Sequence, residues 1–172
     1  PLVVGTLYDQ EVFETSGENI PLTDVSVFAM NSDRTLQSTL SNPDSKLGSF
    51  SLRLPPAAGD YSIFARGQVG EDTTTPIVPL TQLGVIRIEG QLGEIVQAGE
   101  YYRERQARYP LLVRVEEETS KAPLNQIQIA LQPTEATGMA SMWYGKTGET
   151  NPGTWLGHVP AGEYKLVLSP PP

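Results

Sequence analysis

The chain contains no cysteine and a single histidine, His158. Without cysteine there is no disulfide framework, no thiolate nucleophile and no cysteine-ligated zinc. A lone histidine excludes the centres that need several, among them the zinc carboxypeptidase and intradiol dioxygenase sites, and it is a poor start for a serine-type triad. His158 alternates with Leu156 on a strand that precedes a turn, which reads as a surface or rim position. No apolar run approaches the ~20 residues needed to cross a bilayer, so any membrane association is expected to be peripheral or through an anchor outside this chain. No leader is visible, and a chain that opens on Pro1 is expected to have lost or omitted one. Positive charge is scarce as well: 12 Lys and Arg against 20 Asp and Glu, a net charge of −8. An acidic body repels phosphates, so nucleic acid is excluded as a partner.

What is present is turn chemistry and alternation. In 172 residues there are 16 glycines and 15 prolines, with 38% hydrophobic residues, enough to bury a core between many short strands. One stretch organises the rest: Gly48-Ser-Phe-Ser-Leu-Arg-Leu-Pro-Pro-Ala-Ala-Gly59-Asp60-Tyr61. It is an alternating strand, a Pro/Ala/Gly turn, and an acidic-aromatic pair opening another strand. It returns as Gly153-Thr-Trp-Leu-Gly-His-Val-Pro-Ala-Gly162-Glu163-Tyr164. Ile20-Pro21-Leu22 likewise returns as Ala122-Pro123-Leu124. The offsets are nearly the same, Pro21 to Pro123 and Tyr61 to Tyr164, which argues a duplicated unit.

Strands are expected at Leu2–Tyr8, Val25–Ala29, Phe50–Leu54 and Tyr61–Ala65, with a weaker one at Thr35–Ser41 and two or three between Pro76 and Ala98. The segment between Asp9 and Asn19 reads as a polar loop. Ala98–Arg108 is the one stretch of helical character, too short to stand alone, and reads as a linker. Strands follow at Leu111–Val115, Ile127–Leu131, Met142–Tyr144, Thr154–Val159 and Tyr164–Leu168, with Gly157 interrupting the fourth. The organisation expected is therefore 1–98, a linker at 99–109, and a smaller unit at 110–172. The second unit shows fewer strands than the first, so it should borrow one from Pro76–Ala98 or lean on a partner.

The succession Pro-Leu-x-x-Val-x-Val, Gly-x-Phe-x-Leu and Pro-x-x-Gly-x-Tyr-x-Ile resembles the carboxypeptidase regulatory-like family of transthyretin-like (prealbumin-type) β-sandwiches, related in shape to the B-type repeats of surface adhesins. The likeness covers residues 3–66 well and 110–168 more loosely, where Trp155 stands for the Phe. It implies an all-β chain of two tandem transthyretin-like sandwiches joined by a short linker of helical character. It also implies an exported or surface-exposed accessory module, extracytoplasmic and non-enzymatic, that stabilises, spaces or docks other protein subunits. The transthyretin-shaped hydroxyisourate hydrolase uses several histidines and a Tyr-Arg-Gly-Ser ending, where this chain ends Ser-Pro-Pro-Pro. The adhesin repeats' Lys–Asn isopeptide bond needs a first-strand Lys, and neither Leu2–Tyr8 nor Leu111–Val115 has one.

No residue stands out as catalytic, as a metal ligand or as a cofactor contact. Asn42, Asp44 and Asp33 lack calcium-loop spacing and read as a solvated turn. Two surfaces remain. Phe28 and Phe64 fall opposite the core side of their strands, beside Ser26, Ser62 and Arg66, and so are expected to form an exposed apolar patch for a partner. Tyr101, Tyr102, Arg103, Arg105 and Arg108 are the one locally basic, aromatic segment. Partner contact is expected through Phe28 and Phe64, through this segment, or through both, against the simpler reading that they pack between the two units. The alternative is a carbohydrate-binding module, with Trp143, Tyr144 and Trp155 offering stacking faces.

Overall fold

A computed structural model of the chain describes residues 1–68, 74–134 and 143–172. The protein is an all-β sandwich protein, and it divides into two compact units, Pro1–Gln68 with Ile77–Gln106 and a second built on Ala107–Pro172.

In the first unit β1 (Leu2–Asp9) leads into α1 (Gln10–Ser16), and β2 (Val25–Met30), β3 (Ser49–Arg53), β4 (Gly59–Gly67), β5 (Thr81–Ile88) and β6 (Ile95–Arg103) follow. They form two sheets, ordered β3-β1-β6 and β2-β4-β5. Alternation decides the faces: Val3 and Leu7 of β1, Phe50 and Leu52 of β3, and Tyr61, Ile63 and Ala65 of β4 all enter one core. β5 supplies Leu83, Ile86 and Ile88 to the same core, and Val96, Ala98 and Tyr101 of β6 pack against it. β1 and β6 run parallel, whereas β1–β3, β2–β4 and β4–β5 are antiparallel.

The second unit comprises β7 (Arg108–Arg114), β8 (Gln128–Pro133), β9 (Trp143–Lys146), β10 (Thr154–Pro160) and β11 (Tyr164–Ser169). Its sheets are β10-β7 and β11-β8-β9. The correspondence with the first unit is residue by residue. Pro21 bridges to Tyr8 just as Pro123 bridges to Glu116. Leu7 N–H donates to the Gly48 carbonyl at 2.9 Å, and Val115 N–H to the Gly153 carbonyl at 2.8 Å. Those two glycines carry φ of 68° and 66°, a left-handed conformation that disfavours any Cβ. The Tyr61 hydroxyl donates to the Ala57 carbonyl and the Tyr164 hydroxyl to the Pro160 carbonyl, each four residues back across its turn. Thus β7, β8, β10 and β11 repeat β1, β2, β3 and β4. β9 takes the place of the 36–41 segment, which meets β2 through isolated bridges at Leu36 and Ser41.

Four expectations need correction. The segment expected to be a linker is mostly strand: Gly99–Arg103 belongs to β6, whose hydrogen bonds go to β1 rather than to its own preceding turn. The one helix described lies instead in the stretch read as a loop. Asp9 caps it by accepting the Val12 N–H at 3.2 Å, and Gly17 ends it at φ 74°. Thr35–Ser41 makes no continuous ladder, because the Ser38 hydroxyl takes the Ala29 N–H at 2.7 Å in place of a backbone carbonyl. Gly157 does not interrupt β10, which runs unbroken. The Trp155 ring lies against Gly157 and Gly145 so closely that a Cβ at either would collide with the indole, and only glycine leaves the slot open. Met142 lies outside the described residues.

Tyr61 is buried, but Tyr164 is only half-buried. In chemical denaturation Tyr61→Ala is expected to lose about 3–5 kcal/mol, a full aromatic truncation. Tyr164→Ala should lose about half of that, since less of its ring leaves water. Equal losses would contradict the difference in packing.

Candidate docking surface

The surface expected around Phe28 and Phe64 is not open. Phe28 is 2% exposed and Phe64 6%. They sit directly opposite each other on β2 and β4, and their rings stack at 5.8 Å with an interplanar angle of 14°. The Arg66 guanidinium lies 5.8 Å from the Phe28 centroid, a cation–π distance. A flanking serine does not mark a solvent face here. Ser26 is itself buried, its hydroxyl donating to Asn42 Oδ1 at 3.2 Å, and β2 is buried on both faces.

The basic segment is likewise turned to internal work. Arg105 makes a forked contact with Asp24, Nε to Oδ2 at 3.0 Å and Nη2 to Oδ1 at 2.7 Å, while Nη1 reaches Asp9 Oδ2 at 2.6 Å. The Asp24 hydrogen bonds, more than the charge of Asp9, push the Arg105 pKa up, so the cation is held by its own unit. Arg103 donates to the carbonyls of Tyr102 and Gln82. Within the second unit Arg108 donates to the Thr75 carbonyl at 2.7 Å. The Tyr101 hydroxyl donates to the Ala98 carbonyl at 2.7 Å, and burial raises its pKa. The Tyr102 ring packs, tilted, against both Tyr8 and Phe13, with its hydroxyl on Asn19 Oδ1.

Of the aromatics considered for sugar stacking, Trp143 is buried with its ring edge-on to Tyr164 at 5.7 Å. Trp155 is half-buried against the two glycines, and Tyr144 alone of the three is exposed. Trp143 thus fills the second unit's interior, and Trp155 has its ring packed against Gly145 and Gly157 while remaining partly exposed. The Asp44 carboxylate is also accounted for. It accepts from the Ser49 hydroxyl and from the N–H groups of Leu47 and Lys46, and these bonds, that of Ser49 foremost, lower its pKa to about 2. His158 lies half-buried on β10 opposite Pro110.

Both units expose large apolar side chains, among them Leu47, Val85, Leu92 and Ile95 in the first, but among the described residues only the second leaves inward-facing strand positions open. In the first, β1 is flanked by β3 and β6, and β4 by β2 and β5. In the second, β7 pairs only with β10 and β11 only with β8 among the described residues. The missing neighbours show in the burial of matched side chains. Ile63 and Ala65 of β4 are fully buried, whereas their counterparts Leu166 and Leu168 are 44% and 47% exposed. Val3 of β1 is fully buried, whereas its counterpart Leu111 is half-buried and Tyr109, one pair further out, is exposed. Inward-facing apolar side chains of both sheets therefore meet solvent along one side of this sandwich. The alternation puts Tyr164, Leu166 and Leu168 on one face of the last strand but does not mark that face as open, and the shortage of strands in the second unit is the signal that could have located it.

No family model matches the sequence, and no curated protein matches it. Among solved structures the chain is similar to a streptococcal ancillary pilin, at 12% identity and a TM-score of 0.39, over 99% of this chain and 54% of that one. It is also similar to a DUF3823 family protein from Parabacteroides merdae, at 12% identity and a TM-score of 0.30, over 92% of this chain and 79% of that one. The chain thus spans about half the length of the pilin. Likeness at this level carries no argument about activity.

Because Phe28 and Phe64 are core residues, the double Phe28→Ser, Phe64→Ser variant is expected to unfold the first unit, each truncation costing about 3–5 kcal/mol. Circular dichroism and urea titration would show it, and a variant that melts like the parent would restore the exposed-patch reading. Arg105→Ala strands the buried Asp9 carboxylate. It is expected to lose about 2–3 kcal/mol, below the figure for a fully buried pair because Arg105 and Asp24 are partly solvated.

Proposed function

We propose that the chain is a non-catalytic structural or docking subunit of a larger extracytoplasmic assembly, and that it meets its protein partner through the open side of the second sandwich. The observation that carries this reading is the half-exposure of Leu166 and Leu168 at positions whose counterparts in the first unit are fully buried. Fully burying a leucine is worth about 1.5–3 kcal/mol, so a unit that leaves several inward-facing residues half in water gains stability from any partner that covers them. The Pro-Leu-x-x-Val-x-Val and Gly-x-Tyr-x-Ile patterns support placing the chain with carboxypeptidase regulatory-like modules, which act as accessories to other domains. That resemblance also supports a location outside the cytoplasm. A sugar-binding role is less favoured, since Trp143 and Trp155 are occupied in packing.

A double Leu166→Glu, Leu168→Glu variant tests this. Both side chains already meet solvent, so the variant is expected to fold, with the first unit's denaturation midpoint unchanged. In native cells, crosslinking through the second unit should capture a partner with the parent chain and lose it with the variant. Undiminished crosslinking by a folded variant would show that the open side is not the contact.

A further inference from the structure

The repeat indicates what kind of partner element fits the open side. In the first unit the free edge of β4 is taken by β5, one antiparallel strand, with Tyr61 opposite Ile86 and Ile63 opposite Gly84. This strand brings Leu83, Ile86 and Ile88 over the core. β11 is the counterpart of β4, and its backbone is oriented to receive the same addition. The Glu163 carbonyl accepts the Thr134 N–H at 3.1 Å, on the β8 side. Successive backbone groups of a strand point to alternate sides, so those of Tyr164, Leu166 and Leu168 face away from β8. No proline interrupts these three positions, and their side chains point inward, where cover is missing.

The opposite sheet is less receptive. In the first unit the Leu2 N–H donates to the Glu94 carbonyl at 2.8 Å, tying β1 to the segment that leads into β6. The counterpart of Leu2 is Pro110, which has no N–H to give. A second copy of this chain, joined about a two-fold axis so that both sheets continue, would have to pair β7 with β7 across that proline. A lone strand on β11 needs no such pairing.

We propose that the second sandwich is completed by strand addition: an extended segment of a partner polypeptide pairs antiparallel with β11 and places apolar side chains, at alternate positions, over Leu166 and Leu168. This rests on the reading of the open side as the docking surface and specifies its mode. The incoming segment has the chemistry of β5, with a bulky aliphatic residue opposite Tyr164 and a small one opposite Leu166.

The probe is a synthetic peptide with the sequence of residues 80–89, Leu-Thr-Gln-Leu-Gly-Val-Ile-Arg-Ile-Glu, added to the full-length, isotopically labelled chain. Amide exchange followed by NMR is expected to slow by about tenfold or more at Leu166 and Leu168, with the β1 and β4 amides unchanged. A peptide N-methylated at alternate positions on its pairing edge should lose this protection. So should Leu166→Pro, which removes an N–H at an edge where proline is tolerated. Leu166→Ala should keep it. Protection confined to the first unit, or no protection at millimolar peptide, overturns strand addition. Binding that survives N-methylation also overturns it, because side-chain docking without backbone pairing would then suffice. Concentration-dependent self-association that protects the same amides without peptide overturns it in favour of a second copy. If the peptide fails while Leu166→Glu, Leu168→Glu still abolishes the cellular crosslink, the docking surface stands and only its mode is wrong.

Discussion

A strand inside a two-sheet sandwich has two hydrogen-bonding edges and one face turned to the core, and neither is satisfied by the strand itself. Here that requirement governs β4 and β11, which start from the same turn and hold the same tyrosine–carbonyl bond. Beside β4 lies β5, and the inward side chains of β4 are buried. Beside β11 there is β8 on one edge and no strand on the other among the described residues, and its leucines stand half in water. The difference between a finished core and an open one follows from the neighbour, not from the strand.

The shared features of the units are local and short-ranged. A left-handed glycine admits the chain to β3 and β10. Pro21 and Pro123 cross beside the ends of the first strands, and a tyrosine hydroxyl closes each turn. Packing is then adjusted by volume. Phe50 lies over Gly5 in the first unit, and the larger Trp155 demands two glycines, Gly145 and Gly157, in the second. Such a substitution preserves interior density while changing which positions must lack a side chain.

Charge follows the same inward logic. The arginines of the 103–108 segment form the one locally basic run of an acidic chain, yet their donors go to carbonyls and carboxylates within their own units. Arg105 in particular ties Asp9, which caps α1, to Asp24 at the approach to β2. A basic cluster in a sequence marks a docking site only when its donors remain unspent.

The alternation of Phe50, Leu52 and Leu54, the glycine and proline turns, and the two tyrosines were enough by themselves to determine an all-β chain with a duplicated core motif, because these signals act over a few residues and depend on backbone conformation alone. The helix caps at Asp9 and Gly17 were equally local, though overlooked. What only the tertiary structure decided is which faces and edges are covered. Phe28 and Phe64 look like exposed residues beside serines, and their burial depends on elements distant in sequence. The 99–103 segment looks helical in isolation, but pairing with β1, more than ninety residues earlier, makes it a strand. Leu166 and Leu168 read as ordinary core positions. Among the described residues no strand lies on the outer edge of β11, which leaves them exposed, and no pattern within β11 can encode whether a neighbour is present.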